Sequence, residues 1–260
     1  MKRFAPAVFL AAAVSAQWLN YPTASIPRTA DGKPDLTAPA PKSANGKPSL
    51  AGIWHRVPPP NAPSGANFGN TVTYYMPPGS TVPLQPWAAE LLRQRRFDGL
   101  GAGRPSERCL PHGVLGSMLP NIPHKIVETP GLTLILTEQL TQFRQIFTDG
   151  RSLPPDMQPA WFGYSIGHWD GETFVVESAG FTDKTWLDDS GHPNTEAMRT
   201  EERFRRIDAG HMALEVVVND PGAYTRPWSV TIPLELMPDT ELIEDVCDNE
   251  RDAPHNGLKQ

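Results

Sequence analysis

The stretch Trp228-Ser229-Val230-Thr231-Ile232-Pro233-Leu234-Glu235-Leu236 decides the fold class. Apolar side chains recur at every second residue, with Ser229 and Thr231 between them. A period of two puts Trp228, Val230, Ile232, Leu234 and Leu236 on one face of a half-buried antiparallel strand. Met212, Leu214, Val216 and Val218 repeat the pattern within His211 to Asn219. Further toward the N-terminus, His124 to Thr129 and Leu132 to Glu138 flank the turn pair Pro130-Gly131. Gln142 to Thr148 ends at Asp149-Gly150, and Tyr164 to Trp169 meets Glu172 to Ser178 across Asp170-Gly171. Asp-Gly between two strand patterns is a strong hairpin signal. Arg199 to Ile207 and Glu241 to Cys247 complete the series, with Ala51 to Trp54 opening it. A long meander must close or stack to protect its edges. The chain therefore reads as mainly β, an antiparallel up-and-down barrel, with a two-sheet sandwich as the alternative.

The rest of the chain has a different texture. Proline, 29 of 260 residues, crowds into its first part. Ala30-Asp31-Gly32-Lys33-Pro34-Asp35-Leu36 recurs as Ala44-Asn45-Gly46-Lys47-Pro48-Ser49-Leu50. Asp-Gly and Asn-Gly mark turns, and each following proline favours extended chain. Residues 17–50 thus read as a proline-rich arm that either wraps the domain or tethers it. Residues 51–260 read as a single barrel domain. One or two short helices interrupt it, the main one at 86–98. There Pro86 suits a first helical position, and Trp87, Leu91 and Leu92 lie at helical spacing. Arg93, Arg95 and Arg96 favour the helix end, read as solvated, with anion binding as the alternative.

The chain begins as an export signal does. Lys2 and Arg3 precede the apolar stretch Ala5 to Val14, and Val14-Ser15-Ala16 fits the small-residue cleavage rule. Residues 1–16 are assigned to the signal, and the mature protein to the periplasm or medium. No later run is long enough to cross a bilayer. The net charge of −6 gives no broad positive field for nucleic acid. In an oxidising compartment Cys109 and Cys247 form a candidate disulfide, with two separate buried thiols as the alternative.

Polar residues concentrate between Gly180 and Arg199, the long connection of the meander. It gathers Lys184, Trp186, Asp188, Asp189, His192 and Glu196. Long loops on a rigid scaffold are where function tends to sit. His192 suits general acid or base work near neutral pH, with Asp188 or Asp189 orienting its ring. Trp186 can stack on a flat substrate, and Lys184 and Glu196 add polar contacts. The plain alternative is a capped turn, in which Asn194-Thr195-Glu196 starts a short helix. The following strand carries charge on both faces. Arg199, Glu201 and Arg203 would make a polar wall if they faced a ligand; a charged edge strand is the alternative. No metal-ligand spacing and no nucleotide loop stands out, so no metal or organic cofactor is expected. Gly163-Tyr164-Ser165-Ile166-Gly167 matches the letters of a hydrolase elbow, but its context is a strand rather than a strand–turn–helix.

Several segments together resemble a family of secreted bacterial proteins without assigned function. They are Phe143-Arg144-Gln145-Ile146-Phe147-Thr148-Asp149-Gly150-Arg151, Gly167-His168-Trp169-Asp170-Gly171-Glu172-Thr173, Gly191-His192-Pro193, Glu202-Arg203-Phe204 and Asp220-Pro221-Gly222-Ala223-Tyr224-Thr225-Arg226-Pro227-Trp228. Asp35-Leu36 and Gly52-Ile53-Trp54 look like its N-terminal arm, and a Gly-x-Trp pair also opens the first strand of lipocalins. The resemblance implies a lipocalin-like β-barrel and carries no activity. Members of that family usually have a second histidine where Asn194 stands, which weakens a two-histidine metal site or relay. The leading expectation is an exported barrel that takes a small organic molecule, as a hydrolase, lyase or isomerase using His192. A non-catalytic carrier or sensor of an apolar ligand and a structural envelope protein are the alternatives.

Overall fold

A computed structural model describes residues 21–23, 26–58, 70–97 and 104–247. The expected signal, residues 1–16, lies outside the described residues. Among these residues nine strands close into one barrel in sequence order. They are β1 (Gly52–Arg56), β2 (His124–Thr129), β3 (Leu132–Thr137), β4 (Gln142–Phe147), β5 (Tyr164–Asp170), β6 (Thr173–Ala179), β7 (Arg199–Arg206), β8 (His211–Asn219) and β9 (Trp228–Leu236). Helix α1 spans Pro86–Phe97 and α2 spans Gly113–Met118.

The expectation of a purely antiparallel meander needs correction: β4 and β5 run parallel, pairing Ile146 with Ser165 and Phe147 with Ile166. Parity gives the reason. An odd ring of strands cannot alternate direction all the way round, so one neighbouring pair must run the same way. A parallel pair needs a crossover rather than a tight turn, and residues 148–163 supply it. Membership of the barrel also differs from the sequence reading. Residues 241–247 form no strand. The strand opened by Gly52-Ile53-Trp54 closes the ring instead, pairing Trp54 with Leu236 on one side and His124 on the other.

Alternation fills the lumen. On β9 Trp228, Val230, Ile232, Leu234 and Leu236 are buried, and on β8 Met212, Leu214, Val216 and Val218. On β7 the inward set is Thr200, Glu202, Phe204 and Arg206. Glu202 pairs with Arg144 of β4, and Arg144 also donates to Ser165 Oγ at 3.1 Å and Ser178 Oγ at 2.8 Å. A buried charge pair of this kind is tolerable because every arm of the guanidinium finds an acceptor.

The two ends of the barrel differ. One carries the tight β2–β3, β5–β6 and β7–β8 turns. The arm lies across this hairpin end. Its two repeats make matching turns, Gly32 N–H to Thr29 O and Gly46 N–H to Ser43 O, both 2.9 Å. The arm docks through Ala209 N–H to Ala38 O and Gly210 N–H to Leu36 O. A Cβ at Gly210 would sit 2.4 Å from Leu36, so only glycine permits this approach. The opposite end is covered by α1, α2 and the 180–198 and 220–227 connections. All six residues of α2 are buried. Of α1, Ala88 and Leu92 turn inward, while Trp87 is 46% exposed and donates its indole N–H to Gly222 O. Cys109 and Cys247 form a disulfide with Cα atoms 5.6 Å apart, tying the α1–α2 connection to the chain beyond β9.

Candidate functional site

The loop-covered end is organised by a fold-back in the β6–β7 connection. Leu187 N–H donates to His192 O at 2.9 Å, and Trp186 bridges Pro193. This tight reversal brings Asp188 under His192. The Asp188 carboxylate accepts from Gly191 N–H at 3.0 Å and His192 N–H at 3.2 Å, which is ordinary Asx-turn chemistry. It then does more than cap a turn. It accepts from His192 Nδ1 at 2.8 Å and, across the chain, from Thr71 Oγ1 and Val72 N–H at 3.0 Å each. His192 is 2% exposed and Asp188 3%. Burial pushes the Asp188 carboxyl up, yet His192 and the Val72 and His192 amides together hold it below its ordinary value. An ionised carboxylate with this many donors fixes the proton of His192 on Nδ1. Nε2 is then the ring's unprotonated nitrogen and makes no hydrogen bond among the described residues.

Four neighbours frame the dyad. Arg95 of α1 donates to Gly191 O at 2.7 Å and lies 4.4 Å over the Trp186 ring. The solvated-end reading of the arginine cluster therefore fails for Arg95, whose burial lowers its pKa to about 10. It holds for Arg93, which pairs with Glu90 on the surface. Tyr224 donates to Pro193 O at 2.6 Å, and burial, then the charges of Asp188 and Asp220, push its pKa up. Asp220 is 1% exposed and accepts from Thr195 N–H and Oγ1 at 2.6 Å each. His112 stands before α2; burial lowers its pKa against the pull of Asp189, and its buried Nε2 has no partner among the described residues.

The sequence-derived candidates divide into three groups. His192 and Asp188 meet. Asp189 points away from them, accepting from Asn70 Nδ2 at 2.8 Å and pairing with Arg104 at 3.2 Å. Trp186 belongs to the site through Arg95, whereas Lys184 and Glu196 are exposed. Arg199, Glu201 and Arg203 lie on the outer face of β7. Arg203 pairs there with Asp170 and Glu201 at 3.0 and 3.2 Å. Arg199 and Glu201 border a surface recess of about 240 Å³ with Asn219 and Pro227. No helix starts at Asn194. Its side chain accepts from Thr185 Oγ1 and donates to Thr182 O, stitching the loop's two limbs together. Sequence reasoning missed Arg95, Thr71, Asp220 and Tyr224 as parts of this end. Asp220 and Tyr224 carried one legible signal, since both stand in a Pro-Gly turn segment that the family resemblance had singled out.

The described residues contain no cluster of three or more His, Cys, Asp or Glu placed to hold a metal ion. No family model, no curated protein and no solved structure matches this chain.

Proposed function

We propose that this chain is an exported barrel, lipocalin-like in plan, that takes a small organic molecule at its loop-covered end. His192 serves there as general acid and base for a hydrolytic, lyase or isomerase reaction, with Asp188 as its positioning residue. The observation that carries this reading is the buried His192–Asp188 contact at 2.8 Å, with Nε2 left unpartnered. A carboxylate that fixes Nδ1–H leaves the Nε2 lone pair poised to take a proton. Trp186, held flat by Arg95, offers a surface for an apolar or planar substrate. The Cys109–Cys247 disulfide is in keeping with an oxidising compartment, periplasmic or extracellular.

The test combines ligand detection with mutation. The mature protein, its histidines labelled with 15N, is titrated with fractionated small-molecule extract. One fraction should shift the His192 ring signals and be converted, and His192→Gln should abolish conversion while leaving the melting temperature near wild type. Conversion that survives His192→Gln would overturn the assignment.

A second reading, non-catalytic carriage, draws on the hairpin end. A recess of about 570 Å³ opens there between the arm and the barrel, lined by Asn45, Glu128, Thr133, Trp169 and Phe174. Thr133 and Phe174 belong to the inward face, so this recess is a mouth of the lumen, and its volume suits a small ligand. A ligand whose footprint perturbs Trp169 and leaves His192 unmoved would favour carriage.

A further inference from the structure

Among the described residues three arginines are buried: Arg56 at 3%, Arg144 at 5% and Arg206 at 7% exposure. Two are fully accounted for. Arg144 has the Glu202 carboxylate and two serine hydroxyls. Arg206 donates to the carbonyls of Ser49, Asp208 and Ala209 and lies over the Trp54 ring. Arg56 has no carboxylate partner among the described residues; the group it acts on is the Tyr75 phenol, whose pKa its charge and hydrogen-bonding reach pull down. Its Nε is buried without a hydrogen bond among the described residues, and its guanidinium lies 6.0 Å from the Tyr75 ring centroid. The Tyr75 hydroxyl is also buried, with no close hydrogen bond among the described residues. Burial raises the Tyr75 pKa against the pull of Arg56, so the phenol keeps its proton and remains a donor. A buried cation and a buried hydroxyl thus stand side by side with no carboxylate among the described residues to offset their desolvation.

Both groups are held firmly. Arg56 ends β1 opposite Leu234 of β9, and Val57 N–H donates to Pro233 O at 2.8 Å. The backbone carbonyl of Tyr75 accepts from Thr231 N–H of the same strand at 2.8 Å. Tyr75 also ends the short 3-10 turn Val72–Tyr74, whose first residues, Thr71 and Val72, bind Asp188. One turn of chain therefore separates this donor pair from the His192–Asp188 dyad. The surroundings are apolar, with Leu234 at 2% and Val72 at 0% exposure.

We infer that Arg56 and Tyr75 anchor the ligand's acidic group, and that the ligand is a small organic carboxylate. The guanidinium fork matches a carboxylate in two-point contact, and the phenol supplies a third donor. This inference rests on the small-molecule reading of the loop-covered end and names its substrate class. A phosphate group offers related oxygen chemistry but is larger and more heavily hydrated, and the test separates the two.

The full mature chain is titrated calorimetrically with sodium benzoate, sodium acetate and inorganic phosphate in chloride-free buffer. Wild type, Arg56→Met and Tyr75→Phe are compared, each with its melting temperature. Benzoate should bind wild type saturably and more tightly than acetate. Arg56→Met should weaken it at least tenfold while melting no lower than wild type, because an unpaired buried charge has gone. Tyr75→Phe should weaken it several-fold, and it decides the matter if Arg56→Met fails to fold. Equal benzoate affinity in wild type and Tyr75→Phe together with Arg56→Met, or no benzoate binding at all, would overturn the proposal. A response to phosphate alone would overturn the carboxylate assignment. Failure of the dyad reading shows separately, as turnover that survives His192→Gln with benzoate affinity intact.

Discussion

Asp188 is the most heavily used side chain at the loop-covered end. Thr71, Val72, Gly191 and both the amide and ring of His192 donate to it. Asp188→Ala strips all of these buried donors at once and should cost about 3–5 kcal/mol, read from the urea midpoint. Its folded pKa is depressed, so its contribution is present above the unfolded carboxylate value and lost as pH falls through the folded one. His124 acts in a higher window. It is buried and donates from Nε2 to Ser117 O, with its pKa pushed down to about 4 by burial. The folded chain keeps it neutral while the unfolded chain takes a proton below about 6.5. Stability should therefore fall by roughly 3 kcal/mol as pH drops from 6.5 to 4 and then level off in this term. Denaturation midpoints across that range check it, and His124→Gln should flatten the slope. At this scale the sequence was half legible. Loop length and composition singled out His192 and Asp188, four residues apart. Arg95 and Asp220 act through partners distant in the chain, and a single sequence carries no signal for such pairs.

At the level of elements, period-two alternation identified β8 and β9, because a strand with one face in a core must alternate, while the turn pairs Pro130-Gly131, Asp149-Gly150 and Asp170-Gly171 marked out β2 to β6. It did not settle which face of β7 turns inward, since both faces carry charge. The answer lay across the lumen: Glu202 has Arg144 waiting for it, while Arg199, Glu201 and Arg203 find water and surface partners. β7 is flanked by β6 and β8 in a closed ring, so its charges guard no edge. Glu202→Ala should destabilise by about 3–5 kcal/mol, since it strands the Arg144 charge. Arg144→Met combined with Glu202→Leu should recover most of that loss in the same denaturation series. Residues 241–247 misled the reading because a short mixed run of Ile, Val and acidic residues has no clear period. The parallel β4–β5 pair was invisible to local patterns, since the parity of the ring dictates it.

Across the whole molecule, one barrel is fastened at both ends. The disulfide closes a loop of 138 residues between the helical cover and the chain after β9. Reduction should lower stability by about 4–5 kcal/mol by loop-closure entropy, measured as the shift in denaturation midpoint with and without reductant. At the hairpin end Glu128 holds the arm, accepting from Ser49 Oγ at 2.7 Å and from the Leu50 and Ala51 amides. Glu128→Ala should raise amide exchange selectively in residues 43–51 and leave β6 to β9 protected. Composition made the arm and the pairing of the cysteines foreseeable as alternatives; only the packed molecule distinguishes a wrapped arm from a tether. The central claim is a small-molecule site beside His192. Its most direct test is a crystal structure of the mature protein purified from an exporting host, with native mass spectrometry of the same sample. The expected result is a bound organic acid with one atom in hydrogen-bond contact with His192 Nε2. A bare-chain mass, together with His192 Nε2 packed against protein and no ligand at either end of the barrel, would contradict it.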